Sequence, residues 1–360
     1  MVLRKVLIII ILLLLWGCHN SKSDLILEEM EYQVKMVAVG DNLIHQTIYE
    51  SAKVADTYDF KPIYQEIKPY IKSFNLAFIN QETILGGKEL GLSSYPCFNS
   101  PYELGDALID AGFNLISIAN NHTLDRGEQA VLNSINYWES KSIIYSGATK
   151  SSDEENIKFF EINNIKFAFL AYTYGTNGIP HPKGKTHLAA IYSDLNAEKD
   201  FQRIPCDVDI IIVSMHWGEE YQDYPNSLQK HQANYLSELG ADIIIGHHPH
   251  VIQPIDIIGN SNGYQTVVFY SLGNFLSDQK GMDRLIGAVG SLSITKKINE
   301  DKIAINISEP KVKLLYRCKK DNIFKIKFFE NLDETILLNY DIYFKEKEKL
   351  IQAYYKVEVS

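Results

Sequence analysis

Three histidines, His247, His248 and His250, fall within four positions around Pro249, directly after the apolar run Ile243–Ile245 and Gly246. A strand that ends in glycine and then a His-x-His pair aims two imidazoles from a rigid support toward one point. Neutral imidazole binds Mn, Zn or Fe at neutral pH. Ligand-type residues recur after other apolar runs. Asp41 follows Val34–Val39, Glu82 follows Asn75–Ile79, Asn121 follows Phe113–Ala119, and His216 follows Val208–Met215. Carboxylate, amide and imidazole donors together suit a two-metal site, in which a shared carboxylate spaces the ions at roughly 3.5–4 Å. Asp41, Glu82, Asn121, His216, His248 and His250 are therefore the expected ligands of two divalent ions (Mn, Zn or Fe). His122 is the expected proton donor to a leaving group, and Asp125 the carboxylate that orients it. His45, Asn120, Trp217, Tyr221 and Asn274 are candidates for the substrate side of the site.

These positions require a sheet whose strand ends share one edge. The apolar runs supply the strands, joined by Thr266–Ser271 and by a hairpin of Ile157–Ile162 and Ile165–Ala171 around Asn163-Asn164. Helical spacing marks Ile63–Phe74, Tyr102–Gly112, a stretch ending near Lys141, and Ser227–Gly240. His181 and His187 belong to a rim, and His231 to a helix surface. After residue 290 the pattern changes to alternating strands and a Lys/Glu-rich helical end.

The chain has 360 residues, 46% hydrophobic and 22% charged, with a net charge of −10. That is a globular composition, and its acidity argues against nonspecific nucleic-acid binding. Residues 1–18 carry Arg4 and Lys5, an apolar run Val6–Trp16, and then Gly17-Cys18. The run is too short for a comfortable bilayer span and fits a signal segment, and Leu15–Cys18 resembles a bacterial lipobox. The expectation is an extracytoplasmic lipoprotein, membrane-anchored through a lipidated Cys18. The divisions expected are a signal peptide over 1–18, a tether over 19–33, a main domain over 34–295, and C-terminal strands and helix over 296–360. Cys97, Cys206 and Cys318 are too scattered for a disulfide framework, and Cys97 and Cys206 read as small buried apolar residues.

Seven stretches together carry a family resemblance: VGDNLIH (39–45), NQE (80–82), ANNHTLDRG (119–127), YGTNG (174–178), MHWGEEY (215–221), GHHPHVIQ (246–253) and YSLGNF (270–275). In these the chain resembles the bacterial capsule synthesis proteins of CapA type, associated with poly-γ-glutamate capsules. The resemblance implies an α/β fold of metallophosphoesterase-like stacked mixed β-sheets flanked by helices. It places Asp41, Glu82, Asn121, His216, His248 and His250 on metal positions and His122 on the catalytic histidine. Leu43 stands where the phosphoesterase pattern has a histidine, with His45 the candidate replacement. The implied function is a metal-dependent hydrolase or transferase in poly-γ-glutamate capsule or surface polymer biosynthesis, working with capsule synthesis membrane proteins. Two alternatives stand beside it: a phosphodiesterase for an unrelated phosphate ester, and a non-catalytic polymer-binding assembly component. No Gly-rich phosphate loop and no G-x-S-x-G elbow is present, so nucleotide-driven and serine-nucleophile chemistry have no support.

Overall fold

Apolar residues dominate both faces of several strands, and such strands must be covered on both sides. In a computed structural model, which describes residues 30–299 and 302–360, they build two stacked sheets. The chain begins with β1 (Met30–Asn42), a small hairpin of β2 (Lys53–Val54) and β3 (Thr57–Tyr58), then β4 (Leu76–Gln81), β5 (Leu115–Ser117) and β6 (Ile144–Ser146). It continues with β7 (Lys158–Ile162), β8 (Ile165–Thr173), β9 (Ile210–His216), β10 (Ile243–His247), β11 (Ile255–Gly259) and β12 (Gln265–Phe269). Last come β13 (Asn274–Leu276), β14 (Ile286–Asn299), β15 (Lys302–Ile307), β16 (Lys311–Lys320), β17 (Ile323–Phe328) and β18 (Glu358–Val359).

The first sheet runs β17-β16-β14-β1-β4-β5-β6, with β13, β15 and β18 attached; the second runs β11-β12-β10-β9-β8-β7. β1, β4, β5 and β6 are mutually parallel, as are β8, β9, β10 and β12. Period-two alternation on β1 sends Val34, Met36 and Ala38 into the core between the sheets, with Phe78, Phe169, Ile212 and Ile245. Val37 and Val39 point the other way, into a core with Leu104, Leu108, Ile135 and Trp138 from covering helices. A third core joins Leu170, Val213 and Ile244 to Ala197, Ala233 and Leu236. The layers are thus helix, sheet, sheet, helix.

Local chemistry sets the ends of these elements. The helix Tyr102–Ala111 stops at Gly112, whose φ of 111° lies in the left-handed region. The helix Ser227–Leu239 starts with a capping box between Asn226 and Gln229. The hairpin turn at Asn163 and Asn164 has positive φ at both residues.

Several expectations need correction. The single helix expected over Ile63–Phe74 is two four-residue helices, Lys61–Tyr64 and Lys68–Ile71, each with proline in its first turn. Pro69 has no N–H to continue the first helix, so a second one starts there. The tether expected over 19–33 gives up Met30–Gln33 to β1, where they pair with β14. The rest of the tether, the signal segment and Cys18 lie outside the described residues. The 295/296 boundary falls inside β14, and β16–β18 extend the sheet that contains β1. Cys97 and Cys206 are exposed, not buried: both sit on connections outside the cores.

Asp242, just before β10, ties the far end of the second sheet together. Its carboxylate accepts the Ile211 N–H at 2.7 Å, and its own N–H donates to the Ile211 carbonyl at 2.9 Å. Burial, only partly offset by the Ile211 N–H, pushes its pKa up from 3.8 to about 7. Between those values the folded chain holds a proton that the unfolded chain releases, so this contribution to stability is complete below pH 3.8 and lost by about pH 7. Asp242→Asn removes the titration. Urea unfolding of variant and parent should show a gap, in the variant's favour, that widens by roughly 1.4 kcal/mol per pH unit across that window and then levels off. A gap independent of pH would overturn the assignment.

Candidate metal centre

The C-terminal ends of parallel strands from both sheets meet at one place. Asp41 is the penultimate residue of β1, and Glu82 follows β4 directly. His216 ends β9 and His247 ends β10, with His248-Pro249-His250 continuing from it. Two glycines allow the approach. A Cβ on Gly40 would lie 1.8 Å from the Gly273 carbonyl oxygen, and one on Gly246 would lie 2.1 Å from that of Tyr270. The turn that follows is unfavourable for its residues: φ is 95° at His248 and 58° at His250. Such backbone costs on the order of 1–3 kcal/mol per residue and persists where surrounding structure enforces it.

Asp41 and Glu82 are fully buried, and the histidines close around them. His250 Nδ1 lies 3.0 Å from Asp41 Oδ2, and His250 Nε2 lies 3.6 Å from Glu82 Oε1. His216 Nε2 lies 3.7 Å from the same Glu82 oxygen and 3.0 Å from Asn121 Oδ1. Two overlapping donor groups result, Asp41–Glu82–His250 and Glu82–His216–His248, with Glu82 common to both. A third, Glu220–His248–His250, lies toward solvent.

Electrostatics distinguish the two acids. Burial would raise Asp41, but the hydrogen bond and charge of His250, with His247 and Asn80, outweigh it and hold the carboxyl below its ordinary value. Burial lifts Glu82 well above the ordinary range, and the nearby His250 only partly opposes it. His216 is held well below the ordinary histidine value, first by burial and then by neighbouring histidines. Burial also takes His247 to about 4 and His248 to about 3. His250 rises to about 9, because Glu82 and Asp41 overcome its burial.

Both Glu82 oxygens, both His247 ring nitrogens and His248 Nδ1 are buried without a hydrogen-bond partner. Leaving buried polar atoms unpaired is costly, most of all for a carboxylate. A divalent cation among these donors would satisfy Glu82 and use the neutral imidazoles of His216 and His248 as they stand, displacing the proton that the two carboxylates hold on His250. The residue set therefore fits a metal.

A hydrogen-bonded His–Asp pair flanks the cluster. His122 Nδ1 lies 2.7 Å from Asp125 Oδ2, which also accepts the Phe98 N–H at 2.6 Å. A carboxylate only accepts, so in the neutral ring Nδ1 carries the hydrogen and Nε2 the lone pair. Asn120 braces this loop: its Oδ1 accepts the His122 N–H at 3.0 Å, and its Nδ2 donates to the Gln81 carbonyl at 3.0 Å.

The other expected residues divide. Tyr221 is half-exposed, its ring 6.2 Å from His250, and stands on the rim. Trp217 is not a pocket wall. It is buried in the core under the second sheet and donates its ring N–H to the Tyr270 carbonyl at 2.9 Å. His45 does not replace the histidine absent at Leu43: among the described residues it belongs to none of the donor groups. Its Nδ1 lies 3.2 Å from the Leu43 carbonyl and 3.2 Å from the Asp278 N–H, and burial takes it to about 4. Asn274 turns its amide to Gln279 and Arg284, bracing the segment that leads out of β13. His231 is on the surface, 3.0 Å from Asp194.

Four residues at the site were missing from the expected set. Asn80 donates to Asp41 Oδ1 at 2.8 Å, and His247 Nδ1 lies 3.6 Å from that oxygen. Asn177 accepts from Asn121 at 3.2 Å, and Glu220 reaches His248 and His250. Asn80 had a legible signal, being two positions before Glu82 and so on the same side of the strand. Glu220 had none, because Glu219 beside it is an equal candidate.

Comparison with known proteins places this geometry in context. Residues 35–279 match the family model described as "Bacterial capsule synthesis protein PGA_cap". The capsule biosynthesis protein CapA of Bacillus anthracis is 28% identical over 258 residues, covering 69% of this chain and 60% of that protein. The PGA biosynthesis protein CapA of Bacillus subtilis (strain 168) is 34% identical over 175 residues, covering 48% of this chain and 44% of that protein. The chain thus spans less than two thirds of either relative's length. Among solved structures, a hypothetical protein from Thermus thermophilus aligns with a TM-score of 0.43 and 11% identity over 76% of this chain and 98% of that one.

Glu82 provides the test of the metal fit. Adding Mn or Zn to the parent should raise its melting temperature, and Glu82→Gln should abolish that rise. The metal-free variant should melt no lower than the metal-free parent, because a buried, unpaired carboxylate has been neutralised. An equal metal-induced rise in Glu82→Gln would remove Glu82 from the centre.

Proposed function

The chain belongs to the bacterial capsule synthesis protein family PGA_cap, and from that premise we propose that it is a metal-dependent hydrolase or transferase acting on poly-γ-glutamate or a related surface polymer. It works outside the cytoplasm, tethered to the membrane by a lipid on Cys18 and beside the membrane proteins of capsule synthesis. Its stacked sheets are of the metallophosphoesterase type. The observation that carries the reading is Glu82, a buried carboxylate with two unpartnered oxygens common to two donor groups.

Asp41, Glu82 and His250 would hold one divalent ion, Mn, Zn or Fe, and Glu82, His216 and His248, with the Asn121 amide oxygen, would hold a second. Ions bound there would supply Lewis acidity toward water and the scissile carbonyl. The protein supplies the proton. An amide nitrogen is a poor leaving group unless protonated, and His122 Nε2 delivers that proton. Asp125 keeps the Nδ1 hydrogen in place and balances the imidazolium charge.

The test incubates the metal-loaded chain with poly-γ-glutamate and follows polymer length by size exclusion. The parent should shorten the polymer. His122→Ala should slow this by roughly 10²–10⁴-fold and Asp125→Asn by less. Unchanged polymer with Mn, Zn and Fe in turn, or full activity in His122→Ala, would sink the hydrolase. Hydrolysis confined to an aryl phosphodiester would shift the reading to a phosphodiesterase. In cells, Cys18→Ser should move the protein out of the membrane fraction; unchanged membrane association would remove the lipid anchor.

A further inference from the structure

A second concentration of charge lies on β16 and β17, beyond the family-matched residues 35–279. Residues 311–327 hold seven Lys and Arg against one acid, Asp321, in a chain of net charge −10. Four of the seven, Lys319, Lys320, Lys325 and Lys327, line a cavity of about 530 Å³ together with Asp321, with Tyr316 and Ile336 as apolar lining. Strand register explains the grouping. Tyr316 pairs with Lys327, Cys318 with Lys325 and Lys320 with Ile323, so these residues share one side of the ribbon.

Local acids balance this charge only in part: away from the cavity, Glu358 meets Lys311 at 2.7 Å and Glu330 meets Lys313 at 2.6 Å. Glu66 serves both Lys327, at 2.6 Å, and Lys325, at 3.5 Å. Asp278 serves Lys319 at 3.4 Å, Arg317 at 3.6 Å and Lys280 at 2.9 Å. Lys320 is exposed and has no carboxylate partner among the described residues. Lysines on an edge strand such as β17 discourage unwanted pairing. That role does not account for Lys319 and Lys320, which sit on the inner strand β16.

Asp278 ties the other side of the ribbon to the segment that carries His45. The Asp278 carboxylate meets Lys319, while its backbone N–H meets His45 Nδ1 at 3.2 Å. We propose that the β16–β17 groove is a docking site for a linear polycarboxylate. This rests on the polymer reading above and adds where the chain lies. Same-side strand positions recur at roughly 6.6 Å. A γ-linked glutamate unit has two more backbone bonds than an α-linked residue and extends to roughly 6 Å per carboxylate. Lys325 and Lys327, two positions apart on one side of β17, therefore meet successive carboxylates nearly in step, with Lys320 on the same side across the ribbon. Lysine suits this role, being a mobile point charge that holds a carboxylate without fixing its geometry. Nucleic acid fits less well, because Tyr316 is half-buried and the lining has no exposed ring for bases to stack on.

The test measures binding of fluorescently labelled poly-γ-glutamate to the full chain by anisotropy, at low and high salt. Lys320→Glu/Lys325→Glu should weaken binding roughly tenfold or more and flatten its salt dependence. Lys320→Arg/Lys325→Arg should bind like the parent, and metal content should be unchanged in both. Should the Glu pair melt early, Lys320→Gln alone at its exposed position should show a smaller loss in the same direction. Parent-like binding by a folded Glu pair overturns the groove and leaves the polymer reading intact. Lysine-dependent binding of poly-L-aspartate but not of poly-γ-glutamate supports the groove and removes the polymer reading. Binding of neither polymer, or tighter binding of single-stranded DNA, overturns the groove.

Discussion

A fully buried carboxylate with no hydrogen bond to either oxygen sets the terms for this fold. Removing Glu82 from water costs several kcal/mol unless positive charge meets it. The molecule answers with imidazoles from two neighbouring segments of the second sheet. His216 and His250 approach the same Glu82 oxygen from β9 and from the turn after β10. Asp41, on the first sheet with Glu82, steers His250 through its second ring nitrogen. The centre draws on both sheets, so the relative placement of the sheets and the geometry of the centre are one constraint.

That constraint explains where the structure is close-packed at the backbone. Gly40 and Gly246 stand where strands must pass against carbonyls of the 270–273 segment, and each precedes a residue of the centre. The strand ends meet because parallel strands in both sheets finish on the same edge, while β13, beside Asp41, closes that edge from below. The far edge carries different work: Asp242 and the buried pair of Lys296 with Asp209, at 2.6 Å, hold strand starts together.

Much of this was legible because buried parallel strands are written as unbroken apolar runs, with the polar residues that end them left at one edge. That logic found Asp41, Glu82, Asn121, His216, His248 and His250, all of which the structure brings together. It fails where neighbours in the chain are not neighbours in space. Trp217 follows His216, but successive strand residues face opposite ways, so the ring enters the core while the imidazole enters the site. His45 lies four positions after Asp41, yet the helix that begins at Gln46 turns it toward Asp278. Asn80 was not among the expected site residues, although its position two before Glu82 placed it on the same side. The exposure of Cys97 and Cys206 followed from the loops that carry them, which residue type alone does not report.

The backbone at His248 has a bearing on descent. A φ of 95° suits glycine and penalises histidine, so this turn would be more comfortable with the imidazole removed. On the proposed function, stability and chemistry are in opposition at one position, and continued use of the centre would be what keeps the histidine there. A lineage that abandoned the chemistry would be free to relax the turn. Glycine at this position, with the strands around it intact, would be the mark of a descendant that kept the scaffold and retired the site.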